Sequence, residues 1–311
     1  MENIGGALEN AKVVIIPAGV PRRPGITRDD LFTFNAKIVA TLATACAKFC
    51  PDACFLIISN PVNSLVPLFA SILEKAGVYN PKHLFGITTL DIIRAKRFVT
   101  DNQQWSRAKA KTVSINVIGG HAGATILPLL SQIKDAKFSE NDLENLTYRI
   151  RFAGDEVLAA KDKVRMGGGA TLSMAYAGVE FCSKLIRALN GEKGITECAY
   201  VDLKKEDIAE SDLGHNNSNS LQQDDVQGAR FFSTPVTLGV NGVECINKFG
   251  LISEKEQLSL NEMLPTLKKQ IEKGVQFAKE YKDDVEYKDI KQSHETAKPI
   301  LVAPNQGQVA K

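Results

Sequence analysis

His121 is the residue from which a chemistry can be read. It stands in Val117-Ile-Gly-Gly-His-Ala-Gly123, with Gly119, Gly120 and Gly123 around it. An imidazole titrates near neutral pH, and flanking glycines remove side chains that would keep a ligand off the ring. The same residues also suit a satisfied histidine in a tight turn. A second stretch, Thr88-Thr-Leu-Asp-Ile-Ile-Arg94, sets Asp91 and Arg94 three apart, on one face of a helix. A carboxylate there can orient the imidazole, and a guanidinium can grip a substrate anion. Arg22, Arg23 and Arg28 lie in a segment broken by Pro21, Pro24 and Gly25. Such a loop reads either as a solvated cationic surface or as a lid closing on a small polyanion. Asn60 lies in Ser59-Asn-Pro-Val-Asn-Ser64 and follows an apolar run. That places it beyond the carboxyl end of a strand, where open parallel sheets bind ligands, although a turn Asn before Pro is equally served.

Strands and helices must carry these groups. The apolar runs at Ala11–Pro17, Phe55–Ile58 and Leu84–Ile87 read as buried strands. Between them, Asp29–Phe49 and Val66–Ala76 read as helices, with Leu31, Phe34, Ile38, Leu42 and Ala45 as the apolar stripe of the first. This strand–helix alternation predicts an α/β fold, part of a doubly wound parallel sheet over residues 1–88, followed by an α+β domain over 89–281. In the second part, Lys111–Val117 and Phe231–Val240 read as strands, and Glu140–Ala160, Leu172–Leu189 and Glu254–Tyr281 as long helices. The segment 202–228 reads as a polar, solvated insertion, and 282–311 as a polar tail.

Bulk properties narrow the function. With 38 basic and 36 acidic side chains, the net charge of +2 provides no field for nucleic acid or an anionic membrane. No apolar run approaches the ~20 residues that cross a bilayer. Six cysteines in 311 residues do not make a disulfide framework. Cys46, Cys50 and Cys54 recur every four residues, but Pro51 interrupts them and no histidine stands near to complete a zinc set. They read as structural thiols, with no metal, in a reducing, cytoplasmic setting.

Five motifs in order resemble the malate dehydrogenases of the lactate/malate dehydrogenase family, in its bacterial, mitochondrial and fungal branch. They are Pro17-Ala-Gly-Val-Pro-Arg-Arg-Pro-Gly25, Ser59-Asn-Pro-Val-Asn-Ser64, Thr89-Leu-Asp-Ile-Ile-Arg94, Ile118-Gly-Gly-His-Ala-Gly123 and Ala170-Thr-Leu-Ser-Met-Ala175. The resemblance implies reversible hydride transfer between malate and oxaloacetate with NAD, in a homodimer. It makes His121 the proton acceptor and donor, with Asp91 orienting it. Arg94 would bind the C1 carboxylate, Arg28 would polarise the carbonyl, and Arg22 would take the distal carboxylate. Asn60 would touch substrate and cofactor, and Asn35, Ile58, Ser59 and Met174 would line the cofactor side.

Two departures stand against the family pattern. The Lys161–Gly169 segment is a few residues longer than the family pattern and lacks a Ser before Ala170. No G-x-G-x-x-G occurs in the chain, so about the first sixty residues of the fold are expected to be absent, and tight cofactor binding with them. Two alternatives follow: a non-catalytic chain that only pairs with an intact subunit, or another 2-hydroxy-acid dehydrogenase, against which Arg22 argues.

Overall fold

A computed structural model describes residues 4–20, 28–164, 169–204 and 220–282, with the side chains of Arg28 and Asp29 left aside. After a short helix α1 (Ile4–Leu8), the order is β1 (Val13–Ile16), α2 (Arg28–Phe49), β2 (Cys54–Ile57), α3 (Val62–Lys75) and β3 (Leu84–Gly86). β1 pairs with β2 and β2 with β3, both parallel, so two consecutive strand–helix–strand units form the first half. Then come α4 (Thr89–Asn102), α5 (Arg107–Thr112), β4 (Val117–Gly119), β5 (Ile126–Pro128), α6 (Glu140–Lys163) and α7 (Leu172–Leu189). The chain continues with β6 (Ile195–Asp202), β7 (Phe231–Gly239), β8 (Gly242–Ile246) and α8 (Glu254–Glu280). The sheet does not stop at the expected boundary: β3 meets β6 antiparallel at Gly86 and Tyr200, giving one mixed sheet ordered β1-β2-β3-β6-β7-β4-β5, with β8 on β7.

β2 is buried along its whole length because helices cover it, and Phe55 packs on Phe69 of α3 with ring centroids 5.1 Å apart. α3 carries Pro67 in its interior, which has no N–H for the carbonyl of Asn63. Tyr200, fully buried on β6, fills that vacancy by donating its hydroxyl to the Asn63 carbonyl at 3.3 Å. α8 crosses α3 so closely that a Cβ on Gly274 would lie 1.9 Å from the Ser64 carbonyl oxygen. Only glycine fits there.

Three sequence expectations are corrected. The apolar stripe of α2 is only partly its buried face: Leu31 and Ala45 are buried and Leu42 half-buried, but Phe34 and Ile38 are exposed, while Ala36, Val39, Ala40 and Ala43 are fully buried. Small residues let the middle of α2 lie close on the core, with Phe34 and Ile38 pointing away from it. The strand expected over 111–117 begins only at Val117, since Ser106 caps the Lys109 N–H and starts helix α5. The stretch 202–228 is not wholly a solvated insertion. Asp202 closes β6 with its side chain buried, and Leu221 and Val226 sit in the core; residues 205–219 lie outside the described residues.

Asp202 is held by Arg230 through Nε at 3.2 and 3.0 Å and Nη2 at 2.6 Å, and by the Tyr79 hydroxyl at 2.9 Å. Arg230 also reaches Glu74 at 2.7 Å. Burial pulls the guanidinium pKa down, but hydrogen bonding and charge from Asp202 and Glu74 outweigh it and leave it raised. The clamp ties the end of α3 to β6 and β7.

Candidate active site

Five chain segments converge on one cavity of about 490 Å³: the ends of β1 and β2, the start of α4, the loop after β4, and the start of α7. The first two are the carboxyl ends of parallel strands, where ligands bind in open α/β sheets.

The acid–base candidate and its partner meet there. β4 ends at Gly119, and the following turn brings His121 Nδ1 to 2.5 Å from Asp91 Oδ2. Asp91 lies in the first turn of α4, where the helix dipole favours an anion, and its side chain is fully buried. The carboxylate makes Nδ1 the donor and leaves Nε2 to take or give a proton. The other carboxylate oxygen, Oδ1, has Arg94 Nη1 at 3.8 Å, an ion pair but not a hydrogen bond.

Arg94 lines the cavity and its side chain is 15% exposed. Burial draws its pKa down, with Asp91 and Glu156 opposing, yet an arginine so shifted is still a cation at neutral pH. Among the described residues its guanidinium has no hydrogen-bond acceptor, only the Asp91 ion pair. A half-buried fork of donors without acceptors in a cavity wall is a site for an oxyanion.

The cofactor-side residues fall into two groups. Asn60 is exposed at the cavity rim with its side chain unbonded among the described residues, and Ile58 and Met174 present half-buried apolar surface. Asn35 and Ser59 line the cavity but have their polar atoms engaged by backbone. Asn35 Nδ2 donates to the Asn60 carbonyl at 2.7 Å, and its Oδ1 accepts the Val20 N–H at 2.7 Å. Ser59 Oγ lies 3.0 Å from the Ile16 carbonyl and 2.5 Å from that of Ala18. These two residues hold the loops after β1 and β2 together. Arg22 lies outside the described residues, and of Arg28 only the backbone, which opens α2, is described. Val20, just before that segment, lines the cavity.

Two of the three glycines around His121 serve a different purpose from the one expected. A Cβ on Gly119 would lie 2.3 Å from the Thr125 carbonyl oxygen, and one on Gly120 would lie 2.5 Å from Asn63 Nδ2. These two make room for protein, whereas Gly123 lines the cavity. Sequence reasoning also missed Arg151 and Asp155 of α6, which line the cavity, and Asn63, which accepts the His121 N–H. Asn63 was in plain view in the Ser59–Ser64 motif, but nothing in a sequence shows which of two nearby asparagines faces inward. Among the described residues no cluster of His, Cys, Asp or Glu could hold a metal ion. No helix of the described residues is long and apolar enough to cross a membrane.

A family model described as the lactate/malate dehydrogenase α/β C-terminal domain matches residues 88–278, and one described as the lactate/malate dehydrogenase NAD binding domain matches residues 1–86. Mitochondrial malate dehydrogenase of Caenorhabditis elegans is 49% identical over 274 residues, 88% of this chain and 72% of that protein. Malate dehydrogenase of Actinobacillus succinogenes is 47% identical over 287 residues, 89% of this chain and 81% of that protein. Among solved structures, malate dehydrogenase of Cryptosporidium parvum superposes with a TM-score of 0.68 at 24% identity, covering 90% of this chain and 81% of that one. That likeness shows the fold.

Proposed function

The chain belongs to the lactate/malate dehydrogenase family, and from that premise we propose that it interconverts malate and oxaloacetate as an NAD-dependent dehydrogenase. The observation that carries the reading is the pairing of His121 with buried Asp91 beside an Arg94 whose guanidinium has no hydrogen-bond acceptor among the described residues.

NAD supplies the hydride acceptor. Of this chain, Asn60, Ile58 and Met174 would hold its nicotinamide end, since they form the part of the cavity where an open polar side chain adjoins apolar walls. His121 Nε2 accepts the hydroxyl proton of malate during oxidation and returns it to the alkoxide during reduction. Asp91 keeps the proton of the neutral ring on Nδ1 and stabilises the imidazolium. Arg94 binds the carboxylate next to the reacting carbon through two parallel N–H···O bonds. We assign the carbonyl contact to Arg28 and the distal carboxylate to Arg22, on motif position. Arg22 then selects a dicarboxylate over a monocarboxylate, because a carboxylate buried without its partner costs about 3–5 kcal/mol.

Phe34 and Ile38 on α2, and Leu172, Tyr176 and Val179 on α7, are exposed apolar residues. We assign them to contact with a second copy, as a homodimer. Six free thiols suit a reducing compartment and support a cytoplasmic setting. The test is steady-state oxidation of NADH with oxaloacetate and with pyruvate. Oxaloacetate should be preferred in kcat/KM by at least ~100-fold; equal use of pyruvate would reject the dicarboxylate assignment.

A further inference from the structure

We propose that Asn63 is the positioning residue of the acid–base loop, and that through it helix α8 fixes where His121 stands. The inference rests on reading His121 as the proton-transfer group.

Asn63 is 1% exposed and sits in the first turn of α3. Its amide is engaged at both ends. Oδ1 accepts the His121 N–H at 2.7 Å. Nδ2 donates to Thr125 Oγ1 at 3.0 Å and to Gln270 Oε1 of α8 at 2.7 Å. Thr125 is itself buried and closes the loop back on itself, accepting the Ala122 N–H at 3.2 Å and donating to the Ala122 carbonyl at 3.0 Å. His121 and Thr125, which stand on opposite sides of Ala122 in this loop, are therefore tied to a single buried amide.

No other side chain fills this position. It must present an acceptor to a backbone N–H and donors to two oxygens at once, which an amide does and a carboxylate or hydroxyl does not. The backbone of Asn63 is fixed as firmly as its side chain, by the Tyr200 hydroxyl on its carbonyl and by the tight crossing of α8 at Gly274. Gly120 lies flat on the amide, since its Cβ would fall 2.5 Å from Nδ2 and 2.6 Å from Thr125 Oγ1. Asp91 sets the rotation and tautomer of the imidazole, whereas Asn63 sets the height of the backbone that carries it. Asn63 is not among the residues that line the active-site cavity, which places it behind the His121 loop.

The experiment compares the parent with Asn63→Ala, Thr125→Val and Thr125→Ser. Two readouts are taken: steady-state kinetics with NADH and oxaloacetate, and an NMR titration of the His121 C2–H resonance, assigned with His121→Asn. Displacement of a reacting group by ~1 Å costs on the order of 100-fold. Asn63→Ala is expected to lower kcat by roughly 30- to 100-fold with KM for NADH within about threefold. Thr125→Val should share the defect in part and Thr125→Ser should restore it. The His121 titration curve should change in Asn63→Ala and in Thr125→Val but not in Thr125→Ser. A kcat within threefold of an active parent, or an unaltered titration curve, overturns the assignment. An inactive parent would count against the proposed function alone, because the titration still reports on Asn63. If Asn63→Ala does not fold, the Thr125 pair decides: equal kcat and equal titration curves in Val and Ser variants overturn the proposal.

Discussion

Replacing Asp91 by Asn tests the relay with little change of shape. The parent carboxylate accepts from His121 Nδ1 at 2.5 Å and faces Arg94 Nη1 at 3.8 Å with its other oxygen. An amide in its place has one oxygen and one NH2. Arg94 presents only donors, so the amide oxygen turns to the guanidinium and the NH2 turns to the imidazole. Nδ1 is then forced to accept, and the proton of the neutral ring moves to Nε2, the atom that must take the hydroxyl proton. Loss of a charge-assisted hydrogen bond costs about 1.5–3 kcal/mol, or roughly 10- to 150-fold. The wrong tautomer adds to this, and the corresponding change in a serine-protease relay costs about 10,000-fold. We expect kcat for malate oxidation to fall by about 100- to 10,000-fold, with the folded state retained by near-ultraviolet circular dichroism. Malate oxidation within threefold of the parent would refute the coupling.

Other consequences are open to direct measurement. Arg94→Met should lower kcat/KM for oxaloacetate by about 100- to 1,000-fold while NADH affinity, by fluorescence titration, stays within a few fold, since the substrate carboxylate loses its partner. Arg230→Met leaves Asp202, whose side chain is 0% exposed, as a buried charge without its cation; unfolding by urea should show a loss of about 3–5 kcal/mol. His83 is held below the ordinary histidine range by burial, with Asn80 Nδ2 3.3 Å from its Nε2. Its contribution to stability is therefore complete above the unfolded value of about 6.5 and is lost as pH falls through the lower folded value. Tm should drop less steeply between about pH 7 and 5 in His83→Gln than in the parent.

Much of this architecture was legible because buried parallel strands are short apolar runs. β1 and β3 fall inside the segments read from sequence, β2 is displaced by one residue from its segment, and α7 begins and ends where its periodicity does. The residues His121, Asp91 and Arg94 could be paired in advance because i, i+3 spacing and glycine flanks are local signals. The face of α2 was legible only at Leu31 and Ala45, because alanines buried by close approach carry less hydrophobic weight than the exposed Phe34 and Ile38. β6 was hidden by its polar residues: Thr196, Glu197 and Asp202 interrupt any simple alternation, and Asp202 is satisfied by the nearby Lys204 N–H and, across the fold, by Arg230 and Tyr79. The role of Asn63 depends on Gln270, more than two hundred residues away. No window along the chain contains both.

The central claim is that His121 Nε2 moves the proton in reversible malate oxidation. It is tested most directly by comparing His121→Asn with the parent for NADH oxidation by oxaloacetate, with NADH binding and thermal unfolding measured on the same samples. General acid–base catalysis contributes about 100- to 10,000-fold. The variant is predicted to lose turnover by at least ~100-fold while binding NADH and unfolding like the parent. Turnover within tenfold of the parent would contradict the account, because the proton would then be moving through some other group.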